Sequence, residues 1–495
     1  MHFRILTPIC LTATILATGI ADGGEIDLTP RHRRGQLVRV SSVYEVAGSL
    51  TVTGPDKPTK APLIVSSTSK YEERMLTSEF PGSTGKNRDR PRRRSVRYYS
   101  PLKAKLVING EEIRPELRAE RSLIAVSLDN GGLTMHSPSG PLTREELDLV
   151  QWPGDSLASD ALLPRQPVSV GDKWEVDETL LGALLNISSV GQIAVTAELM
   201  EANGDFARIE AVGVVHGTVD GTATTIDIKS RCYFDLRNRI VQSVQLVLNE
   251  KRKIGEVTPG VEAVSKIKVK FTPINRSTDL SDRALVSVDL EANTDSKRLD
   301  FTPVSGDYRL LHDRDWHVTR DDRKAAILRQ IENGDVLCQC NISSLPQIGK
   351  GKQVTLNVFR DDVQKTLGKN FGQFVNFGEF VDERGRLVYH VEAVGKVADL
   401  PIRWRYYLAA KTDGRRAALV FTMDEEMVER FGEADRRLLA GLELLATATE
   451  TPTPSSPEAQ ALRDVPKPAD TDQNLDSRRD APRRVGRGDD RTRQR

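Results

Sequence analysis

Cysteine, aromatic residues and long apolar runs are all scarce in this chain of 495 residues. Its four cysteines cannot make a disulfide framework, and beyond Ala21 only Cys232, Cys338 and Cys340 remain, so the cores must stand on packed apolar side chains. Past the first 21 residues no run of eighteen apolar residues occurs, which excludes a hydrophobic membrane helix there. One sign of charge is not in excess either: 71 Lys and Arg face 70 Asp and Glu, for a net charge of +1. Any pull toward an anionic partner must therefore be local. The signatures of catalysis are missing as well, with no Gly-x-Ser-x-Gly elbow, no His-Glu-x-x-His, no dinucleotide fingerprint and no calcium loop. Gly82-Ser-Thr-Gly-Lys86 and Lys350-Gly-Lys352 have the wrong spacing for a phosphate loop. No catalytic, cofactor-binding or metal-ligating residue is assigned, and the chain is read as a non-enzyme.

What is present is an address and a pattern. Residues 1–21 carry a basic start at His2 and Arg4, an apolar stretch interrupted by Thr7, Pro8, Thr12 and Thr14, and small residues before Asp22. This is the pattern of a secretory signal peptide and predicts a periplasmic or extracellular protein without a transmembrane helix after cleavage. From residue 36 to 272 the dominant period is two, the mark of half-buried antiparallel strands. Lys266-Ile-Lys-Val-Lys-Phe271 is the cleanest instance, with three lysines on one face and three apolar side chains on the other. A curved, half-barrel-like antiparallel sheet is expected, with one short helix at Arg144–Val150 opened by a Thr143/Glu146 capping box.

Residues 273–305 are polar and turn-forming and read as a linker. A second domain is expected over 306–445. Asn333-Gly334 marks a hairpin, Phe359, Val363 and Leu367 repeat at helical spacing before Gly368, four strands follow, and a final helix is expected over 424–442 behind a Thr422/Glu425 capping box. Hairpin, helix, strands and helix together predict an α+β class. From residue 446 the composition is that of a disordered tail, its last eighteen residues holding eight arginines against three aspartates. No periodic self-similarity marks a solenoid or propeller.

Four groups of residues invite a functional reading. Cys338 and Cys340 share a strand face, as a metal site would want, but two thiols without further ligands read as buried small hydrophobes, and so does Cys232. His312-Asp-Arg-Asp-Trp-His317 could serve a metal-dependent hydrolase only if His312, Asp315 and His317 met distant partners; a solvated turn anchored by Trp316 is the simpler reading. Lys86, Arg88, Arg90, Arg92, Arg93 and Arg94 form a basic segment between turn residues, a solvated loop or a contact for an anionic surface. Tyr98 and Tyr99 follow rather than interleave with these charges, so no nucleic-acid platform is expected. The apolar face of Ile402, Trp404, Tyr406 and Leu408 is read as core.

With those residues in view, the stretch Val304–Leu444, through Tyr308-Arg-Leu-Leu-His-Asp-Arg-Asp-Trp316-His-Val and Gly414-Arg-Arg-Ala-Ala-Leu-Val-Phe-Thr422, resembles the PsbP-like α/β/α sandwich. The first half, through Arg97-Tyr-Tyr99, Gly140-Pro-Leu-Thr-Arg-Glu-Glu-Leu147 and Pro167-Val-Ser-Val-Gly-Asp-Lys-Trp174, resembles secreted bacterial proteins with a sheet like the periplasmic lipoprotein carriers (LolA-like). These resemblances imply accessory, assembly or binding modules and transfer no catalytic residues. The expected function is a secreted, non-enzymatic envelope binding or scaffold protein, with an unknown envelope protein as partner. The alternative is a carrier of a lipid or other apolar ligand in a groove of the first sheet.

Overall fold

The computed structural model describes residues 24–53, 57–79, 92–129, 132–350, 352 and 354–446. Thirteen strands form the first sheet: β1 (Leu37–Val52), β2 (Thr59–Glu79), β3 (Arg92–Tyr99), β4 (Lys103–Ile108), β5 (Glu111–Ile113), β6 (Leu123–Asp129), β7 (Gly132–His136), β8 (Lys173–Glu175), β9 (Ser189–Ala202), β10 (Phe206–Val219), β11 (Thr222–Asp235), β12 (Ile240–Arg252) and β13 (Gly260–Pro273). The path runs β7-β6-β3-β2-β1-β13-β12-β11-β10-β9-β8, with β4 paired to β2 and β5 to β4. The meander β8–β13 thus returns to pair its last strand with the first, Val40 opposite Phe271 and Tyr44 opposite Ile267. All of these pairs are antiparallel, as the period-two pattern requires.

Helices α1 (Arg144–Val150) and α2 (Glu178–Leu185) and a 3₁₀ segment at Ser156–Leu162 lie over one face. Because α2 touches both β7 at one end of the sheet and β9 near the other, the sheet curls around this plug, and among the described residues its end strands β7 and β8 do not pair with each other. The capping box of α1 forms as expected: the Thr143 hydroxyl accepts from Glu146 N, and the Glu146 carboxylate accepts from Thr143 N at 2.9 Å and from Arg118 Nε at 2.6 Å. Thr143→Ala should lower the urea-unfolding free energy by about 1 kcal/mol; no change would mean that Arg118 alone holds this helix start.

Short helices α3 (Asp282–Leu285) and α4 (Thr294–Lys297) punctuate the polar segment that follows. It lies along the outer face of the first sheet, where Arg74 reaches Leu280 O at 2.8 Å and Arg94 reaches Glu291 at 2.6 Å. Next come β14 (Leu299–Phe301), β15 (Tyr308–His312), β16 (Trp316–Asp321), β17 (Ala326–Glu332), β18 (Asp335–Leu345), α5 (Leu356–Leu367), β19 (Phe371–Val381), β20 (Leu387–Val397), β21 (Leu400–Ala410), β22 (Arg416–Asp424), α6 (Val428–Phe431), α7 (Ala434–Gly441) and β23 (Leu442–Leu444). They build a three-stranded sheet, β14-β15-β23, and a seven-stranded antiparallel sheet, β16-β17-β18-β22-β21-β20-β19. Phe359, Val363 and Leu367 of α5 pack on one face of the larger sheet with Trp404 and Tyr406; Phe431, Leu438 and Leu439 pack on the other with Trp316 and Phe421.

The α+β class, with a C-terminal α/β/α sandwich, is not what forms. Strands hold 54% of the described residues and helices, 3₁₀ turns included, 16%, in three open antiparallel sheets, so the protein is mostly β. Two local causes are visible. The longest helix among the described residues has only 12 residues, and the helix expected over 424–442 is broken into short pieces at Gly432, whose φ of +56° caps α6. Thr422 is no helix cap, because β22 runs on to Asp424 and Thr422 pairs with Gln339 and Trp404. The Asn333-Gly334 turn does form, both residues at positive φ.

Candidate functional site

The most heavily charged interior of the described residues lies between β2, β3 and the Ser156–Leu162 segment. Strand alternation points Tyr71 and Glu73 of β2 and Arg93, Ser95, Arg97 and Tyr99 of β3 to the covered face. Arg97 is 1% exposed and uses its whole fork: Nε donates to Glu73 Oε1, Nη1 and Nη2 donate to the two Asp155 oxygens, each at 2.8 Å, and Nη2 also donates to Ser156 Oγ. The Tyr71 ring lies 5.0 Å from its guanidinium carbon. Glu73 accepts further from Ser95 Oγ, and Asp155 caps the 3₁₀ segment by accepting from Leu157 N. Beside this group, Arg93 donates to Leu157 O at 2.7 Å and to Asp160 Oδ2 at 2.8 Å, with His32 Nε2 3.5 Å from Asp160. Burial pushes the Asp160 carboxyl upward, but Arg93 and His32 together outweigh it and hold that group well below the ordinary carboxylate range.

A cavity of about 30 Å³ opens beside the network, lined by Tyr44, Tyr71, Tyr99, Arg97, Trp152 and Asp155 among others. It has room for a water molecule, whereas sites for small organic ligands run to about 300 Å³ or more. Trp152 packs against Tyr44 in its wall, with ring centroids 4.3 Å apart and the planes tilted by 47°. In this arrangement the charges are spent on one another and fasten the plug to the sheet.

The groups singled out from the sequence are scattered. Lys86, Arg88 and Arg90 lie outside the described residues, as does the side chain of Arg92. Arg93 is buried against Asp160 and Arg94 is paired with Glu291, so neither stands on an open loop. The period-two run Arg93-x-Ser95-x-Arg97-x-Tyr99 was the available sign that these arginines face inward, but their carboxylates lie on other elements, Glu73 on β2 and Asp155 and Asp160 in the 3₁₀ segment, and carry no local mark.

His312, Asp315 and His317 do not converge as an acid–base set. The His312 ring contacts Asp313 O at 2.8 Å, and burial pushes it down to about 4. Asp315 accepts from Gln330 Nε2 at 2.6 Å. Trp316 is buried as expected, yet the charges around it are only half-exposed and bonded within the protein. Arg314 donates to Lys297 O and Met135 O, and Arg144 donates to Arg314 O at 2.7 Å, so this turn is the seam between the first sheet and the later ones. Cys232 is buried, its thiol pushed up to about 12 by burial and then by Asp160. Cys338 and Cys340 are buried too, their thiols raised well above the ordinary range. Among the described residues no group of three or more His, Cys, Asp or Glu could hold a metal ion. Ile402, Trp404, Tyr406 and Leu408 are core, packed beneath α5.

One exposed feature escaped the sequence reading. The motif Phe-Gly-x-Phe-Val occurs twice in succession, at 371–375 and 377–381, and makes up β19, the edge strand of the seven-stranded sheet. Two register shifts, after Phe371 and after Phe374, turn the three-residue spacing of Phe371, Phe374 and Phe377 onto the α5 face, where Arg360 lies over the Phe374 and Phe377 rings at 5.8 and 5.3 Å. From Asn376 to Val381 the strand is regular, and Phe377 and Phe380 remain 44% and 40% exposed.

No family model matches the chain, and no curated protein matches it in sequence. Among solved structures, the PsbP protein CyanoP of Synechocystis is similar at 12% identity with a TM-score of 0.24, covering 30% of this chain and 93% of CyanoP. A protein of Bacteroides thetaiotaomicron is similar at 10% identity with a TM-score of 0.22 over 31% of this chain and 50% of its own, so the chain spans about half the length of that structure. The translocator domain of the autotransporter NalP from Neisseria meningitidis is similar at 8% identity with a TM-score of 0.12 over 80% of this chain and 90% of that domain. These are distant likenesses of fold and extend to nothing finer.

Proposed function

We propose that the chain is a secreted, non-enzymatic binding or scaffold protein of the bacterial envelope that takes an extended segment of a partner protein against the edge of β19. The single observation that carries this reading is that edge. On one side β19 is paired to β20; on the other, no strand among the described residues covers it, and two phenylalanines stand beside it. Its bulged first half resists strand addition, while the regular run Asn376–Val381 offers a row of backbone donors and acceptors with apolar side chains on both faces. A PsbP-like accessory role for the second half belongs to this proposal, and the secretory address belongs to the N-terminal pattern. No helix of the described residues is long and apolar enough to cross a membrane.

The test is site-specific photocrosslinking in cells that express the full chain, with benzoylphenylalanine in place of Phe377 or Phe380 and, as a control, in place of Val286, which is 84% exposed elsewhere. Discrete adducts from the two edge positions and none from the control are expected; equal labelling at all three, or none at the edge, removes the proposal. Native mass spectrometry of the same protein should return its bare mass. A reproducible lipid-sized excess would install the carrier reading instead, and would require the 3₁₀ plug to lift from the sheet.

A further inference from the structure

The lysine alternation that marks β13 in the sequence has no internal use in the fold. Lys266, Lys268 and Lys270 stand exposed on the outer face of the first sheet, where no described segment covers them, about 7 Å apart along the strand. Register extends the row across the sheet. Lys266 is opposite Val247, which is opposite Lys229 of β11; Lys270 is opposite Ser41, which is opposite Lys70 of β2. All five lysines are exposed, and among the described residues none of them is in an ion pair. Arg74 and Arg94 hold the 274–298 segment over the neighbouring β2–β3 part of the same face, so the lysine band begins where that cover ends.

The band is not purely polar. Val43 on β1 is opposite Lys268, Val247 separates Lys266 from Lys229, and Val264 follows on β13; these three are 43%, 42% and 41% exposed. Isolated aliphatic side chains set among unpaired lysines suit a surface with phosphate charges above and acyl chains below, where the ammonium groups meet the headgroups and the valines sit at the boundary. A soluble anionic glycan would use the lysines but gain nothing from the valines. Of the carboxylates in or near the band, Glu210 is held by Arg231 and Glu72 by Arg39, while Glu45, directly opposite Lys266 on β1, and Asp227 carry no ion pair among the described residues, so five lysines stand against two carboxylates.

We propose that this outer face, centred on Lys266, Lys268 and Lys270, docks the protein onto a membrane surface rich in anionic phospholipid. The test is cosedimentation of the full chain with vesicles of phosphatidylcholine alone or with about 30% phosphatidylglycerol added. Binding is expected only with the anionic vesicles, falling as salt is raised. At about fivefold per lysine, the combined Lys266→Gln, Lys268→Gln and Lys270→Gln variant should bind about a hundredfold more weakly. Lys70→Gln with Lys229→Gln provides a second variant should the first fail to fold, and a smaller loss is expected from it. Equal binding to both vesicles, no binding to either, or undiminished binding by a folded lysine variant would overturn the proposal, the last placing the contact on the arginine-rich segments. Binding to dextran sulfate without binding to vesicles would overturn it in favour of a glycan.

Discussion

Replacing Arg97 with methionine should cost about 3–5 kcal/mol of stability, because it strands two buried carboxylates rather than removing one isolated interaction. Glu73 and Asp155 are 5% exposed each, and Arg97 supplies both with their charge partner. Without it they must ionise unpaired in a low-dielectric interior or take up protons. The loss should therefore be recovered in large part by combining Arg97→Met with Glu73→Gln and Asp155→Asn, which empties the site of charge. Urea unfolding of the single and combined variants decides the matter. A cost below about 1 kcal/mol for Arg97→Met, or a combined variant no better than the single one, would mean that water reaches the network. Since Asp155 and Ser156 start the segment that fills the covered face, Arg97→Met should also expose apolar surface to a hydrophobic dye before global unfolding begins.

Mild acid should weaken the protein at the seam between its sheets. Burial, and then Arg314 nearby, push His136 down to about 4; burial does the same to His312, with Arg144 and His317 adding to it and Asp313 opposing it. Asp289 opposes the shift of His136, while Lys297 and Arg94 add to it. Both rings are therefore neutral in the folded protein across a range in which the unfolded chain, titrating near 6.5, takes up protons. The sign follows: their full contribution is present above about pH 6.5 and is lost progressively as the pH falls to about 4. For His312 the gap between 6.5 and about 4 corresponds to about 3 kcal/mol. Unfolding midpoints compared at about pH 7.5 and about pH 5 should drop in the wild type and drop less in His312→Gln. A flat wild-type profile over that interval would show that the rings are already protonated, or open to solvent, in the folded state.

Where a feature depends on a few neighbouring residues, it was legible in the sequence. The Thr143 capping box, the Asn333-Gly334 turn, the α5 stripe of Phe359, Val363 and Leu367, and the wet and dry faces of β13 all form as their spacing requires. The break at Gly432 was not anticipated, because the apolar stripe from Met427 to Leu439 continues in spacing across a residue whose backbone turns left-handed. Nor was the α5 face of β19, since two bulges convert a three-residue spacing into a single face, which period-two reasoning cannot reach.

The sequence by itself determined that the chain would be built from antiparallel strands with dry and wet faces and without disulfide staples, since both follow from side-chain alternation and cysteine number. Only the tertiary structure decided which charges are surface and which are core. Arg93 and Arg97 stand in the same basic run as Arg94, yet they are buried while Arg94 pairs at the outer face, because Asp155 and Asp160 arrive from a segment that folds over the opposite side of the sheet. The lysines of β13, with no such segment above them among the described residues, make no ion pair there. Burying a charge is tolerable only beside its counter-charge, and where that counter-charge lies is a property of the folded chain.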